Sequence, residues 1–291
     1  MKISEILAIR RPSISFEVFP PKKDKPLEGT KEVVAEIAAT RPAFMSVTYG
    51  AAGGSTGANT SAIAEHVQRV CGVPVLAHLT CIGATRETMA REVETFRAAG
   101  VENILCLRGD FPPGTEFPGD GAFAHASDLA RALAGKGFCL GGACYPEGHP
   151  ASPRLAEDVA HVKEKVDAGL DFLTTQMFFD NNVYFHYLAR LRDAGVTVPV
   201  VAGIMPVTNG KQIARICQLS GTYLPPRFRA IVDRFGDEPT AMFDAGVAYA
   251  TEQIVDLFAN GVNHVHVYTM NKPELARSIM SNLKGMVGDS W

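Results

Sequence analysis

Short apolar, β-branched runs recur along the chain at intervals of roughly 30 residues. Each is followed by a stretch in which apolar positions return every three or four residues. The runs lie at 14–19, 44–49, 73–81, 103–107, 138–145, 172–179, 198–204 and 264–268. The helical patterns lie at 26–40, 57–71, 85–99, 123–135, 152–168, 182–194, 209–219 and 239–260. In 152–168, Ser152 is placed to cap and Pro153 to sit at the first helical position. Leu155, Val159, Val162 and Val166 share one face, and Gly169 stops the helix.

Strand–helix alternation predicts parallel strands joined by crossover helices. Several runs are apolar on both faces, as strands covered on both sides should be. Eight such units closing on themselves predict an α/β fold, a TIM (β/α)8 barrel, with residues 1–291 as one domain. An open doubly wound sheet is the alternative. No G-x-G-x-x-G follows any strand, and no G-x-x-x-x-G-K-[ST] occurs, which weakens the dinucleotide-fold and P-loop readings. The Gly/Pro-rich stretches 50–60 and 111–122 follow the second and fourth strands, where a barrel builds its site.

Composition narrows the class. Apolar residues are 46% and charged residues 20% of 291, enough apolar content for a sizeable core. The net charge of −3 argues against a dedicated nucleic-acid binder. No secretory signal is legible, and the longest apolar run, about 198–207, is too short and too broken by Pro199, Gly203 and Pro206 to span a bilayer. A cytoplasmic protein is expected. The six cysteines are irregularly spaced and read as buried free thiols.

Polar residues inside or just beyond the strand runs are candidates for chemistry. Glu17 is flanked by apolar residues. If it points into the barrel, desolvation raises its pKa and suits it to general acid work; a salt-bridged structural Glu is the other reading. Asp110 closes Arg108-Gly109-Asp110 where the fourth strand hands over to its loop. Gln176 can donate to and accept from a heterocycle edge, or be satisfied by backbone. His78 lies in the third strand and His149 beyond the fifth. His264 and His266 share one face of the eighth, but no acidic or cysteine partner completes a metal set, so no metal is expected.

The motifs SFEVFPP (15–21), MSVTYG (45–50), AHLTC (77–81), LRGD (107–110), ACYPE (143–147) with His149, KVDAG (165–169), TQMFFD (175–180), GIMPV (203–207) and VYTMN (267–271) run in order along the chain. Together they resemble the flavin-dependent methylenetetrahydrofolate reductase family. The length is similar to the bacterial catalytic domain alone.

The resemblance implies a barrel holding FAD at the C-terminal ends of its strands, with NADH or NADPH as electron donor and methylenetetrahydrofolate as small-molecule substrate. It also implies a homo-oligomer with neither nucleic acid nor membrane as partner. It makes Glu17 the general acid and Asp110 the acidic residue near flavin and pterin. Gln176 and Gln212 become folate contacts, with Lys272 standing at the folate tail. Thr48 aligns with a nicotinamide contact. Tyr49, Ala51, His78, Arg108, Gly109, Ala126, Tyr145, His149, Asp158 and Lys165 align with flavin contacts.

Departures from the family pattern are His125 for a tyrosine, His161 for an amide, Glu164 for an arginine, Ile216 for an aromatic, and Lys272 for an arginine. Lys272 replaces a bidentate fork with a point charge. Competing readings are the same folate chemistry with electrons from a partner subunit, a flavin-free pterin-binding methyltransferase on a barrel, and a non-catalytic binding subunit.

Overall fold

A computed structural model describes residues 1–21, 26–49, 56–110 and 123–288. Eight parallel strands close into a barrel in sequence order: β1 (Ser13–Val18), β2 (Met45–Val47), β3 (Val75–Thr80), β4 (Asn103–Leu107), β5 (Cys139–Cys144), β6 (Phe172–Thr175), β7 (Val200–Ile204) and β8 (His264–Tyr268). β8 pairs back onto β1, so the open-sheet alternative is excluded.

Helices cover the outside: α2 (Leu27–Ala38), α3 (Thr56–Glu65) with a π-helical turn His66–Val70, α4 (Arg86–Ala98), α5 (Ala126–Leu133), α6 (Leu155–Asp167), α7 (Asn181–Asp193), α8 (Gly210–Ser220), α9 (Pro226–Phe235), α10 (Pro239–Ala259) and α11 (Pro273–Val287). Among the described residues, no helix is long and apolar enough to cross a membrane.

Strand side chains alternate between helix layer and lumen. Along β1, Ile14, Phe16 and Val18 join the large core beneath the helices, while Ser13, Ser15 and Glu17 point the other way. The lumen holds a smaller cluster of Phe44, Leu76, Leu105, Cys139, Phe172 and Val201. A short helix, α1 (Ile3–Leu7), plugs the N-terminal end by adding Ile3, Ile6 and Leu7 to that cluster. Each such buried aliphatic side chain contributes about 1.5–3 kcal/mol. The Ile3 backbone N–H donates to Asn103 Oδ1 (2.8 Å), and His264 Nε2 donates to the Leu7 carbonyl (3.0 Å). The other end, where the strands finish, is left for a site.

The sequence pattern predicts neither α1, nor α9, nor α11. The predicted cap of α6 is also corrected: Arg154 occupies the N-cap, and Ser152 and Pro153 lie before the helix. Gly169 does end it, at φ +116. Of the six thiols, Cys81, Cys106, Cys139 and Cys144 are buried, whereas Cys71 and Cys217 are only half-buried; all are free.

Candidate active site

The strand ends gather a polar cluster inside an otherwise apolar barrel. In the β1–β8 register Ser15 stands opposite His266 and Glu17 opposite Tyr268; in the β1–β2 register Glu17 stands opposite Ser46. Parallel pairing therefore places five polar side chains on three neighbouring strands at two successive levels of the lumen. His78 adds a sixth from β3, its Nε2 lying 3.6 Å from Glu17 Oε2.

That His78–Glu17 approach is not an ion pair. Burial drives the imidazole's pKa down to about 3, so it is neutral, and 3.6 Å is too long for a hydrogen bond. His78 Nε2 has no hydrogen-bond partner. The Glu17 side chain is 21% exposed, and burial pushes its carboxyl up to about 7, opposed only by a hydrogen bond with Ser46. The desolvated carboxyl foreseen from the flanking apolar residues is present, and among the described residues no cation pairs with it.

Tyr268 completes the wall. Its hydroxyl donates to the Thr175 carbonyl oxygen at 2.6 Å, and burial with the nearby Glu17 charge holds its pKa far above the usual phenol range. This packing depends on Gly203, whose Cβ would lie 2.3 Å from Thr175 O and 2.5 Å from the Tyr268 hydroxyl. His266 is buried between Ser15 (Nδ1–Oγ 2.7 Å) and Ser46 (Nε2–Oγ 2.9 Å). His264, sharing its strand face, bonds Ser13 and Leu7 at the opposite end of the barrel.

A second group lies just beyond β4 and β5. Gly109 takes φ +90, and a Cβ there would meet Ile82 Cγ2 at 2.7 Å, so only glycine makes this turn. The turn leaves Arg108 half-buried and Asp110 exposed. Tyr145 and His149 meet edge to face, ring centres 4.6 Å apart. His149 Nδ1 accepts from the Ala151 backbone N–H at 3.0 Å, which leaves the proton on Nε2. Burial, reinforced by the Arg108 charge, lowers its pKa.

Asp158 on α6 is buried at 4% exposure. Ser152 Oγ donates to Oδ1 (3.4 Å), and Oδ2 has no partner among the described residues. Burial raises its pKa, with the Lys165 charge opposing. Lys165 Nζ donates to the Ala143 carbonyl at 2.6 Å, and burial lowers its pKa. His125 is the exposed N-cap of α5, and Ala126 is that helix's first residue. His161 and Glu164 on α6 are both exposed; Ser127 Oγ donates to Glu164 at 3.4 Å.

The remaining predicted residues lie around the same rim or outside it. Gln176 is not inside a strand as expected, because β6 ends at Thr175. Its Oε1 accepts from the Met177 backbone N–H at 2.9 Å, while its own N–H donates to Cys144 O at 2.7 Å. Gln212 is exposed on α8. Lys272, the N-cap residue of α11, is half-buried and donates to Thr208 Oγ1 at 2.7 Å. Thr48 and Tyr49 follow β2. The Thr48 N–H donates to Val18 O (3.0 Å), and burial with the Glu92 charge pushes Tyr49 up to about 12. Ala51 and the 111–122 loop lie outside the described residues.

Ser15, Ser46 and Tyr268 are passed over in the sequence, and His266 is weighed there only with His264 as a metal pair. A signal was available: Ser13-x-Ser15-x-Glu17 and His264-x-His266-x-Tyr268 each repeat polar groups at the strand period of two, so each puts its polar side chains on one face.

Comparison with known proteins follows this geometry. The family described as methylenetetrahydrofolate reductase matches residues 2–284. A relative from Zea mays, methylenetetrahydrofolate reductase (NADH) 1, is 35% identical over 303 residues, covering 99% of this chain and 51% of its own length. The chain thus spans about half the length of the plant relatives it matches. The 5,10-methylenetetrahydrofolate reductase of Escherichia coli (strain K12) is 32% identical over 272 residues, 93% of this chain and 90% of that one. Among solved structures, an uncharacterized protein from Clostridium thermocellum that binds two copies of 5-methyl-5,6,7,8-tetrahydrofolic acid superposes with a TM-score of 0.67. It is 14% identical and covers 97% of this chain and 98% of its own, which speaks for the fold. With one family's profile running over 2–284 and a bacterial relative matched along nine-tenths of its length, the chain belongs to the methylenetetrahydrofolate reductase family.

Proposed function

We propose that this chain reduces 5,10-methylenetetrahydrofolate to 5-methyltetrahydrofolate, using FAD that NADH or NADPH reduces, with residues 1–291 acting as one catalytic unit. The observation that carries the reading is Glu17: a lumen carboxyl at the strand-end mouth, with its proton affinity raised to about 7. Family membership and the names of the bacterial relatives support the substrate. The names of the plant relatives favour NADH.

The residues beyond β4 and β5 fit a flavin dinucleotide. Asp158 has a buried carboxylate oxygen without a partner, suited to a sugar hydroxyl. His149 keeps an Nε2 donor beside Tyr145, and Arg108 and Lys165 bring positive charge. Tyr49, His78, Gly109, His125, Ala126 and His161 are the further candidates around it. Bound there, the flavin supplies the hydride.

The chain's own residues then have distinct tasks. With its pKa raised to about 7, Glu17 can hold a proton near neutrality for the amine nitrogen released as the folate ring opens. Asp110 offers negative charge at the rim, which favours the cationic iminium so formed. With Gln176 Oε1 taken by Met177, its amide protons remain for the pterin edge. Thr208 steadies Lys272 as a cation for the substrate's glutamate carboxylate, and Gln212 on α8 adds an exposed amide.

An anaerobic absorption spectrum of the purified protein tests the reading. Flavin bands should bleach on adding NADH and return on adding methylenetetrahydrofolate. Bands that bleach only with a chemical reductant favour delivery of electrons by a partner subunit. Absence of flavin bands, with no binding of added FAD, contradicts the proposal and favours a flavin-free pterin enzyme.

A further inference from the structure

We propose that Ser15, His266 and Ser46 form a reversible hydrogen-bond relay that positions Glu17. In this relay the neutral His266 ring carries its proton on Nε2 when Glu17 is ionised and on Nδ1 when Glu17 is protonated. The inference rests on the reading of Glu17 as the acid, and it concerns how the protein holds that acid in both of its states.

His266 sits between two hydroxyls, Ser15 Oγ at 2.7 Å and Ser46 Oγ at 2.9 Å. Ser46 also bonds the Glu17 carboxyl, its partner in the β1–β2 register. At the far end Ser15 Oγ lies 3.1 Å from the Val265 carbonyl, which can only accept. Each hydroxyl has one proton, and the ring, deep in the lumen, keeps one. The chain therefore has two arrangements.

With Glu17 ionised, Ser46 must donate to the carboxylate. It then accepts from His266 Nε2–H, and Nδ1 accepts from Ser15. With Glu17 protonated, its O–H donates to Ser46, Ser46 donates to Nε2, Nδ1–H donates to Ser15, and Ser15 donates to Val265 O. The net difference is one proton: Ser46 passes its proton to Glu17 and receives the Nε2 proton, while Ser15 passes its proton to Nδ1 and takes the replacement that comes from solvent. The imidazole remains neutral and changes only the nitrogen that bears hydrogen. The protonated arrangement satisfies every group along the chain, and the ionised one leaves only the Val265 carbonyl without Ser15's proton, which an apolar neighbour could not do for a carboxyl that must lose and regain a proton.

The other groups facing Glu17 do not compete. Tyr268 from β8 gives its proton to Thr175 O, and His78 from β3 stands 3.6 Å away, neutral. Phe44 stacks on His266 with ring centres 5.6 Å apart, fixing the imidazole plane between its two serines. Ser15, Ser46 and His266 are thus positioning residues, acting on substrate only through Glu17.

The test is the tautomer itself, read from the ring nitrogen shifts of His266 in the full chain labelled with ¹⁵N-histidine, across about two pH units either side of neutrality. The resonance is assigned by its loss in His266→Gln. The expected result is exchange of the protonated and bare nitrogens with the same midpoint as the Glu17 carboxyl carbon. Glu17→Gln should abolish that pH dependence. Ser46→Ala should uncouple His266 and move the Glu17 midpoint up by roughly one pH unit, since the hydroxyl stabilises the charged form. Ser46→Thr should restore the coupling. A His266 tautomer that stays fixed while Glu17 titrates overturns the proposal, as does a Glu17 that does not titrate in this range. Full folate reduction by Glu17→Gln would instead remove Glu17 as the acid and leave the tautomer result standing, so the two failures are distinguishable.

Discussion

Glu17 and Tyr268 are partners in the β1–β8 register, yet the phenol turns its proton away from the carboxyl and onto the Thr175 carbonyl, 2.6 Å off. A phenol donating to the carboxylate would have stabilised its charged form and lowered its pKa. By donating elsewhere, Tyr268 excludes water from Glu17 without neutralising the desolvation that raises it. Burial raises the acid's proton affinity, and the phenol on the neighbouring strand does nothing to lower it.

That raised affinity predicts how stability depends on pH. The Glu17 pKa is raised from 4.5 to about 7 in the folded protein, so between those values the folded state binds more protons than the unfolded one. Its contribution is fully present below pH 4.5 and is lost as pH rises through about 7. The interval corresponds to about 3 kcal/mol at most; the 21% exposure of the side chain reduces it. Glu17→Gln should therefore be more stable than the parent well above neutrality, by about 1–3 kcal/mol, and nearly equal to it in acid. Urea unfolding at two pH values checks this, and equal differences at both would contradict it.

Gly203→Ala should cost stability through the same wall. The added methyl would stand 2.3 Å from Thr175 O and 2.5 Å from the Tyr268 hydroxyl, and the first of these is backbone. Overpacking of this kind typically costs about 1–3 kcal/mol. The denaturation midpoint should fall, and folate reduction should fall with it as Tyr268 shifts toward Glu17. An unchanged midpoint would show that the wall has slack.

Flavin retention should respond to two residues of α6 in opposite directions. Asp158→Asn keeps the shape but replaces one carboxylate oxygen with a donor, including at the unpartnered site. It should weaken FAD binding about tenfold, the worth of one hydrogen bond to a charged group. Glu164→Arg changes an exposed charge, so it should tighten FAD only a few-fold, and less at high salt. Fluorescence titration with FAD measures both. Tighter binding in Asp158→Asn would contradict the assignment.

The barrel was legible because its evidence is repetitive: eight short apolar runs, seven with β-branched residues and seven followed by a helical period, leave few alternatives. What escaped lacked repetition or length. α1 has five residues, too few for a period, and is held by the lumen cavity it fills rather than by its own pattern. The pattern after β7 was read as 209–219 and 239–260, which passed over α9. α11, beyond the last strand, carries buried Leu275, Ala276, Ile279 and Leu283 at helical spacing and was readable. Ser152 looked like a cap but instead donates to the Asp158 side chain, a tertiary choice that local sequence does not encode. Glu17 stood out because a carboxyl among apolar residues is costly to bury. Ser15 and Ser46 did not, since a serine in a strand signals nothing until the register brings it to His266.

If Glu17 delivers the proton that opens the folate ring, stopped-flow measurement of Glu17→Gln will separate the two half-reactions. Glutamine keeps size and hydrogen bonding but has no acidic proton. Reduction of the protein-bound flavin by NADH needs none from the chain, so that half should change roughly tenfold or less. Reoxidation by methylenetetrahydrofolate needs one, and should slow by about 10²–10⁴-fold. Reoxidation at the parent rate would contradict the claim and take Glu17 out of the mechanism.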